Sequence, residues 1–239
     1  MTLGGKRIVI LGGSSGIGLA VAQAASREGA AAVIVSSRQA RIDAALATLP
    51  AGTEGRAADL ADEAAVRALF QDLGAYDHMV FTAGDALRLG PLAATDLAAA
   101  RQVFELRYWG AFLAAKHGAG GIRAGGSIVF TSGTAGRRSQ AGWTLAASVC
   151  AAMEGLTRAL AVELAPIRVN IVSPGVVATP LWGAMPPPAR DALFEQLGQK
   201  LPLGHVGSAE EVAETYLYLI RQTYGTGQVV VVDGGGTLV

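Results

Sequence analysis

Residues 7–20 read RIVILGGSSGIGLA, and the change of character inside this stretch decides the fold. Arg7–Leu11 is a short β-branched apolar run, the pattern of a strand buried on both faces. It passes directly into Gly12-Gly13-Ser14-Ser15-Gly16-Ile17-Gly18, where a helical pattern begins. Gly12 and Gly13 permit a tight turn, and Gly16 and Gly18 let backbone approach a pyrophosphate. The helix N-terminus supplies free N–H groups and the positive end of its dipole. The spacing is Gly-x3-Gly-x-Gly and not Gly-x-Gly-x-x-Gly. A merely tight strand-to-helix turn does not require four glycines. Gly12, Ser14, Ser15, Gly16, Ile17 and Gly18 are therefore the candidate phosphate cradle.

The alternation repeats downstream. Apolar runs at 32–36, 78–81, 127–131, 168–172 and 228–232, with a weaker one near 55–58, alternate with Ala/Leu/Glu/Arg-rich segments. The latter have helical spacing at 16–28, 39–49, 62–73, 96–117, 143–164 and 209–222. Strands alternating with helices of this length imply βαβ crossovers. The expected architecture is a single-domain α/β Rossmann fold: a doubly wound parallel sheet of about seven strands with helices on both faces. Residues 179–204 form an insertion after a strand's C-terminal end, carrying Trp182, Met185, Phe194 and several prolines. It reads as a substrate lid, or else as a surface excursion with its aromatics tucked inward.

Composition narrows the partners. The 239 residues suit one large domain, 51% of them are apolar, and the net charge is +0. No clustered positive charge points to nucleic acid or an anionic membrane. The only cysteine is Cys150, so no disulfide forms within the chain and a reducing, cytoplasmic location is expected. Lys6 and Arg7 precede too short an apolar run for a signal peptide, and no stretch reads as a membrane span. No His/Cys/Asp cluster has metal-ligand spacing. His78 and His205 read as structural, and His117 as a helix-end residue facing the dipole.

The second strand ends Ser36-Ser37-Arg38. An NAD site usually places a carboxylate here to accept from the ribose 2′-hydroxyl. Ser37 and Arg38 suit a 2′-phosphate instead, which a guanidinium holds bidentately. NADP(H) is the expected cofactor, although no basic residue lies in the glycine loop itself. The alternative is that Arg38 is simply solvated at the start of the next helix.

Together these motifs resemble the short-chain dehydrogenase/reductase family over nearly the whole chain. The glycine loop is similar to the family's Thr-Gly-x3-Gly-x-Gly, with Leu11 for Thr. Asp59-Leu60 resembles the pair that meets the adenine, and Thr82-Ala83-Gly84 resembles Asn-Ala-Gly with Asn replaced. Asn170 and the segment Ser173-Pro174-Gly175-Val176-Val177-Ala178-Thr179 resemble the part that grips the nicotinamide carboxamide. Val232-Asp233-Gly234-Gly235 matches the usual last-strand ending. The resemblance adds Asp59, Leu60, Ala83, Gly84, Pro174, Gly175, Val177 and Thr179 to the cofactor site. It also implies a homodimer or homotetramer, formed through the long helices at 96–117 and 143–164 and through the last helix and strand.

The resemblance implies a catalytic Tyr-x3-Lys, whose members share a helix face, plus a Ser and an Asn. Between Gly126-Ser127 upstream and Glu154-Gly155 downstream the interval has the family's length. The tyrosine position falls on Ala146, the lysine position on Cys150, the serine position on Gly133 beside Ser132, and the asparagine position on Arg107. Residues 132–165 contain neither Tyr nor Lys, and the chain's three lysines are Lys6, Lys116 and Lys200. Such lost bulk has to be filled, by Arg107, Tyr108, Trp143, water or a larger ligand. Arg107 should pair with a carboxylate, a phosphate or an anionic ligand, or else turn outward or bond backbone carbonyls. Cys150 reads as a small buried hydrophobe. Arg137-Arg138 either meets an acidic substrate or is solvated.

Two functions fit. One is an NADP(H)-dependent oxidoreductase with an atypical active site acting on an unidentified small molecule. Its proton comes from water, Tyr108 or the substrate, and Ser132 and Tyr108 are the weak catalytic candidates. The other is a catalytically silent NADP(H)-binding sensor or partner subunit. Non-redox chemistry such as elimination is a third possibility on the same scaffold.

Overall fold

The computed structural model describes residues 2–85 and 88–239. Its strands are β1 (Arg7–Leu11), β2 (Ala31–Ser36), β3 (Glu54–Ala57), β4 (Tyr76–Phe81), β5 (Ile122–Thr131), β6 (Arg168–Pro174), β7 (Val177–Ala178), β8 (Gly207–Ser208) and β9 (Val229–Val232). Seven of them form one parallel sheet in the order β3-β2-β1-β4-β5-β6-β9, and β7 pairs with β8 separately. The helices are α1 (Gly16–Arg27), α2 (Gln39–Leu46), α3 (Glu63–Leu73), α4 (Leu97–Phe104), α5 (Ala111–Gly118), α6 (Thr144–Glu163), α7 (Pro187–Gly198) and α8 (Ala209–Arg221).

The period of two in each strand divides the apolar runs between two cores. Ile8 and Ile10 of β1 join Ile34, Val80 and Val129 beneath α1 and α8. Val9 and Leu11 join Met79, Phe81, Ile128 and Phe130 beneath α3, α5 and α6. Burying each such side chain stabilises the fold by about 1.5–3 kcal/mol, so register is fixed from both faces. The weak run lies at the sheet edge, where Glu54 pairs with Arg7 and Arg56 at 3.3 and 2.9 Å. Charges there discourage pairing with another chain.

One expectation needs correction. The helix expected across 96–117 is split by a π-helical turn, Glu105–Gly110, between α4 and α5. Gly110 is buried there, and a Cβ on it would stand 3.0 Å from the Leu60 carbonyl oxygen. The helix is therefore held where only a bare backbone fits. Helix α6, with 20 residues, is long and apolar enough to cross a membrane by length and composition alone. Here α6 is a core helix, with Met153, Leu156 and Leu160 packed beside the sheet.

Helix α8 is fixed at both ends. Ser208 and Glu211 form a reciprocal capping box. At the other end the buried Arg168 guanidinium donates to the carbonyls of Leu219 and Ile220 at 2.8 and 2.9 Å. Residues 179–204 begin with a short 3-10 turn, Pro180–Trp182, and then form α7, which starts on Pro187 and Pro188, where missing N–H groups cost nothing. The β7–β8 pair closes the base of this excursion. Trp182 and Phe194 pack edge to face at 6.0 Å, and Trp182 Nε1 donates to the Val177 carbonyl.

Candidate active site and nucleotide cradle

The strand order reverses between β1 and β4, which opens a crevice at their C-terminal ends. Gly12 turns the chain there with φ +90°. A Cβ on Gly12 would stand 2.5 Å from the Ala83 nitrogen, and one on Gly18 would stand 2.3 Å from the Gly12 carbonyl oxygen. Only glycine lets the loop, the start of α1 and the end of β4 meet this closely. Thr82 stitches the crossing, since its hydroxyl lies within donating distance of the Leu11 and Gly12 carbonyls.

No side chain caps the N-terminus of α1, and its first turn has no acidic residue. The first helical bond is Leu19 N–H to the Ser15 carbonyl. The N–H groups of Gly16, Ile17 and Gly18 thus precede the ladder and face the crevice without an anion of the chain's own. This donor set fits a dinucleotide pyrophosphate.

The other expected cofactor residues border the same crevice. Ser14 Oγ lies 3.0 Å from Ser36 Oγ, which ties the loop to the end of β2. Ser37 and Arg38 are exposed just beyond, at the start of α2. Arg38 makes no ion pair among the described residues. Asp59 accepts from the Ala61 N–H and lies exposed beside the buried Leu60. Pro174 closes β6, and Gly175 N–H donates to Val232. Val177 lies in β7. The Thr179 Cβ would be 3.3 Å from a Cβ built on Gly16, so the segment after β6 returns to the glycine loop.

A cavity of about 30 Å³ adjoins the cradle, lined among others by Thr82, Ala83, Arg107, Ser132 and Cys150. It has room for a water molecule. Thr131 forms part of its floor, donating to the Phe81 carbonyl and meeting the buried Tyr216 hydroxyl at 2.7 Å. Ser132 Oγ donates to the Cys150 carbonyl at 3.1 Å, so its proton is engaged by the backbone of α6. A Cβ on Gly133 would be 3.2 Å from Cys150 Sγ. Ala146 is buried one turn earlier on α6. Burial pushes the Cys150 thiol up, with Ser132 and Arg107 opposing that shift.

Arg107 emerges from the π-helical turn and bonds the Asp85 carbonyl. Burial lowers its pKa, and Cys150 and Asp85 oppose the shift. Of the partners expected for it, the backbone carbonyl is the one found. Tyr108 does not line the cavity; it packs against Trp109 and Phe104. Arg137 pairs with Glu154, and Arg138 donates to the Gly236 carbonyl. The Thr82 stitch depends on which strands are neighbours, and the Thr131–Tyr216 pair on how α8 packs against β5, so neither is readable from local sequence.

The fold and the cradle define a dinucleotide-binding α/β protein. The enoyl-(acyl carrier protein) reductase family profile matches residues 12–237. The short-chain dehydrogenase/reductase fsr5 of Gibberella fujikuroi (strain CBS 195.34 / IMI 58289 / NRRL A-6831) is 34% identical, over 99% of this chain and 96% of its own. A small-chain dehydrogenase solved in complex with NADPH is 36% identical with a TM-score of 0.87, covering 98% of this chain and 100% of its own. The MalC reductase/Diels-Alderase of Malbranchea aurantiaca is 32% identical with a TM-score of 0.92, covering 99% and 98%. The chain belongs to the short-chain dehydrogenase/reductase family of oxidoreductases.

Proposed function

We propose that the protein is an NADP(H)-dependent oxidoreductase whose site works without a tyrosine–lysine pair. The single observation that carries the unusual part is the composition of the cavity wall. Where the resemblance implies Tyr, Lys, Ser and Asn, the chain presents Ala146, Cys150, Gly133 and Arg107, and a guanidinium occupies space beside the thiol. The intact cradle supports binding, and the NADPH complex of a relative supports the choice of cofactor.

When bound, the nicotinamide supplies or accepts a hydride. The N–H groups of Gly16, Ile17 and Gly18 hold the pyrophosphate, while Ser37 and Arg38 take the 2′-phosphate. Asp59 and Leu60 border the adenine, Ala83 and Gly84 floor the crevice, and Pro174, Gly175, Val177 and Thr179 position the carboxamide side. Residues 179–204 cover the substrate. Of the side chains lining the cavity, the Ser132 hydroxyl is engaged with the backbone, and burial raises the Cys150 thiol and so makes it a poor proton donor. The proton for the acceptor oxygen therefore comes from water or from the substrate itself.

The test is to follow NADPH absorbance with purified protein and a panel of ketones, enones and imines. Turnover is expected, with NADP(H) preferred over NAD(H). Arg38→Ala should erase most of that preference, about ten- to a hundredfold, the worth of a charge-assisted phosphate contact. Tight NADPH binding without turnover on any acceptor would instead favour a silent sensor or partner subunit. Equal affinity for the two cofactors would overturn the 2′-phosphate assignment.

A further inference from the structure

We propose that Arg107 grips the nicotinamide-ribose half of the bound dinucleotide, supplying from the π-helical turn a cation for this part of the site. The inference rests on the NADP(H) reading and adds a binding residue to it.

The first ground is a built seat. The guanidinium lies against Gly84, where a Cβ would stand 2.8 Å from Cζ and Nη1 and 3.0 Å from Nη2. Any side chain at residue 84 would displace it. The seat's far end is the Asp85 carbonyl, which accepts from Nη2. The π-helical turn Glu105–Gly110 re-aims the side chain at this point of the helix, a common use of such turns.

The second ground is unspent donor capacity. A guanidinium has five N–H donors in a fixed planar fork. The bond to Asp85 uses one, and among the described residues no carboxylate lies within ion-pair distance. Partial burial without more acceptors is unfavourable for such a group, so the remaining donors call for a ligand oxygen.

The third ground says which oxygen. The cavity shares Thr82 and Ala83 with the cradle. The Ala83 backbone is the wall between them, since it is also what a Cβ on Gly12 would strike. A dinucleotide leaving the glycine loop along Ala83-Gly84 brings its second ribose to Arg107 before any outer acceptor. Each of the two neighbouring ribose hydroxyl oxygens can accept from one guanidinium N–H. On the opposite wall Cys150 is uncharged and small, so no second cation competes.

The experiment compares two ligands by calorimetric titration. One is NADPH, and the other is 2′,5′-ADP, which carries the adenosine and its 2′-phosphate but lacks the nicotinamide ribose. Arg107→Gln is expected to weaken NADPH binding about tenfold or more, while 2′,5′-ADP binding stays within twofold of wild type. Arg107→Met, which keeps the apolar stem, gives the same comparison should the glutamine variant not fold. NADPH binding within twofold of wild type would overturn the assignment. So would equal losses for both ligands, because that pattern belongs to a general structural defect. If the wild-type protein binds neither compound, the cofactor reading itself fails and takes this one with it. If it binds both and the variant is indifferent, only this one fails.

Discussion

Burial pushes the His78 imidazole down to about 4; Asp77 opposes the shift, and Arg168 and Lys6 add to it. The ring lies on β4 with Nδ1 2.9 Å from Ser127 Oγ. In the unfolded chain it titrates near its ordinary value, so below that pH the unfolded state takes up a proton the folded state refuses. Stability from this residue is therefore complete above about pH 6.5 and falls as pH drops toward 4, by roughly 3 kcal/mol at most. Urea unfolding at pH 7.5 and 4.5 should show His78→Asn losing less on acidification than wild type. Parallel losses would place the acid sensitivity elsewhere. The strand-to-helix turn at Gly12–Gly18 was readable from sequence, because its local chemistry suffices. The Arg107 seat was not, because its partners, Gly84 and the Asp85 carbonyl, lie on another segment.

Helix α8 shows the same division among elements. Its capping box lies within four consecutive residues, Ser208 to Glu211, and is a local pattern. The C-terminal partner is Arg168, some fifty residues earlier in the chain. Burial lowers the pKa of this guanidinium, and its bonds satisfy carbonyls that the helix leaves open. Arg168→Ala strands those carbonyls beside a void and should destabilise the fold by about 2–4 kcal/mol, read as a lowered urea midpoint, with Arg168→Lys recovering part. A midpoint within error of wild type would contradict the cap. The strand runs were legible because burial on both sheet faces leaves almost continuous Val, Ile, Leu and Phe. The π-helical turn was not, since an extra residue in a turn changes no composition. Helix α7 is hidden in the sequence, because its proline-led start resembles a loop.

Two groups stand out among the exposed apolar side chains of the described residues. Trp109 and Phe112 are 48% and 38% exposed near the start of α5, with Leu92 and Leu97 nearby in sequence. Tyr218 on α8 and Tyr224 just after it are 56% and 99% exposed. We propose that these side chains are covered in interfaces between copies of the chain, as the family resemblance implies. A dimer forms if one such face closes on its own copy, and a tetramer if both do. Light scattering at micromolar concentration should find an oligomer, and Trp109→Glu with Phe112→Glu should reduce its mass. A monomeric wild type would refute both assembly states.

The position of Cys150 has a practical consequence. It is the chain's only sulfhydryl, and it lines the cavity beside Arg107. Because burial raises its pKa, little thiolate is present near neutral pH and indiscriminate alkylation is slow. Adduct formation will then reward electrophilic fragments that linger in the crevice over those that are merely reactive. Intact mass spectrometry against a library of weak acrylamides would count one labelling event per molecule, at one known address. The shapes that accumulate would outline the missing substrate without any assay of turnover.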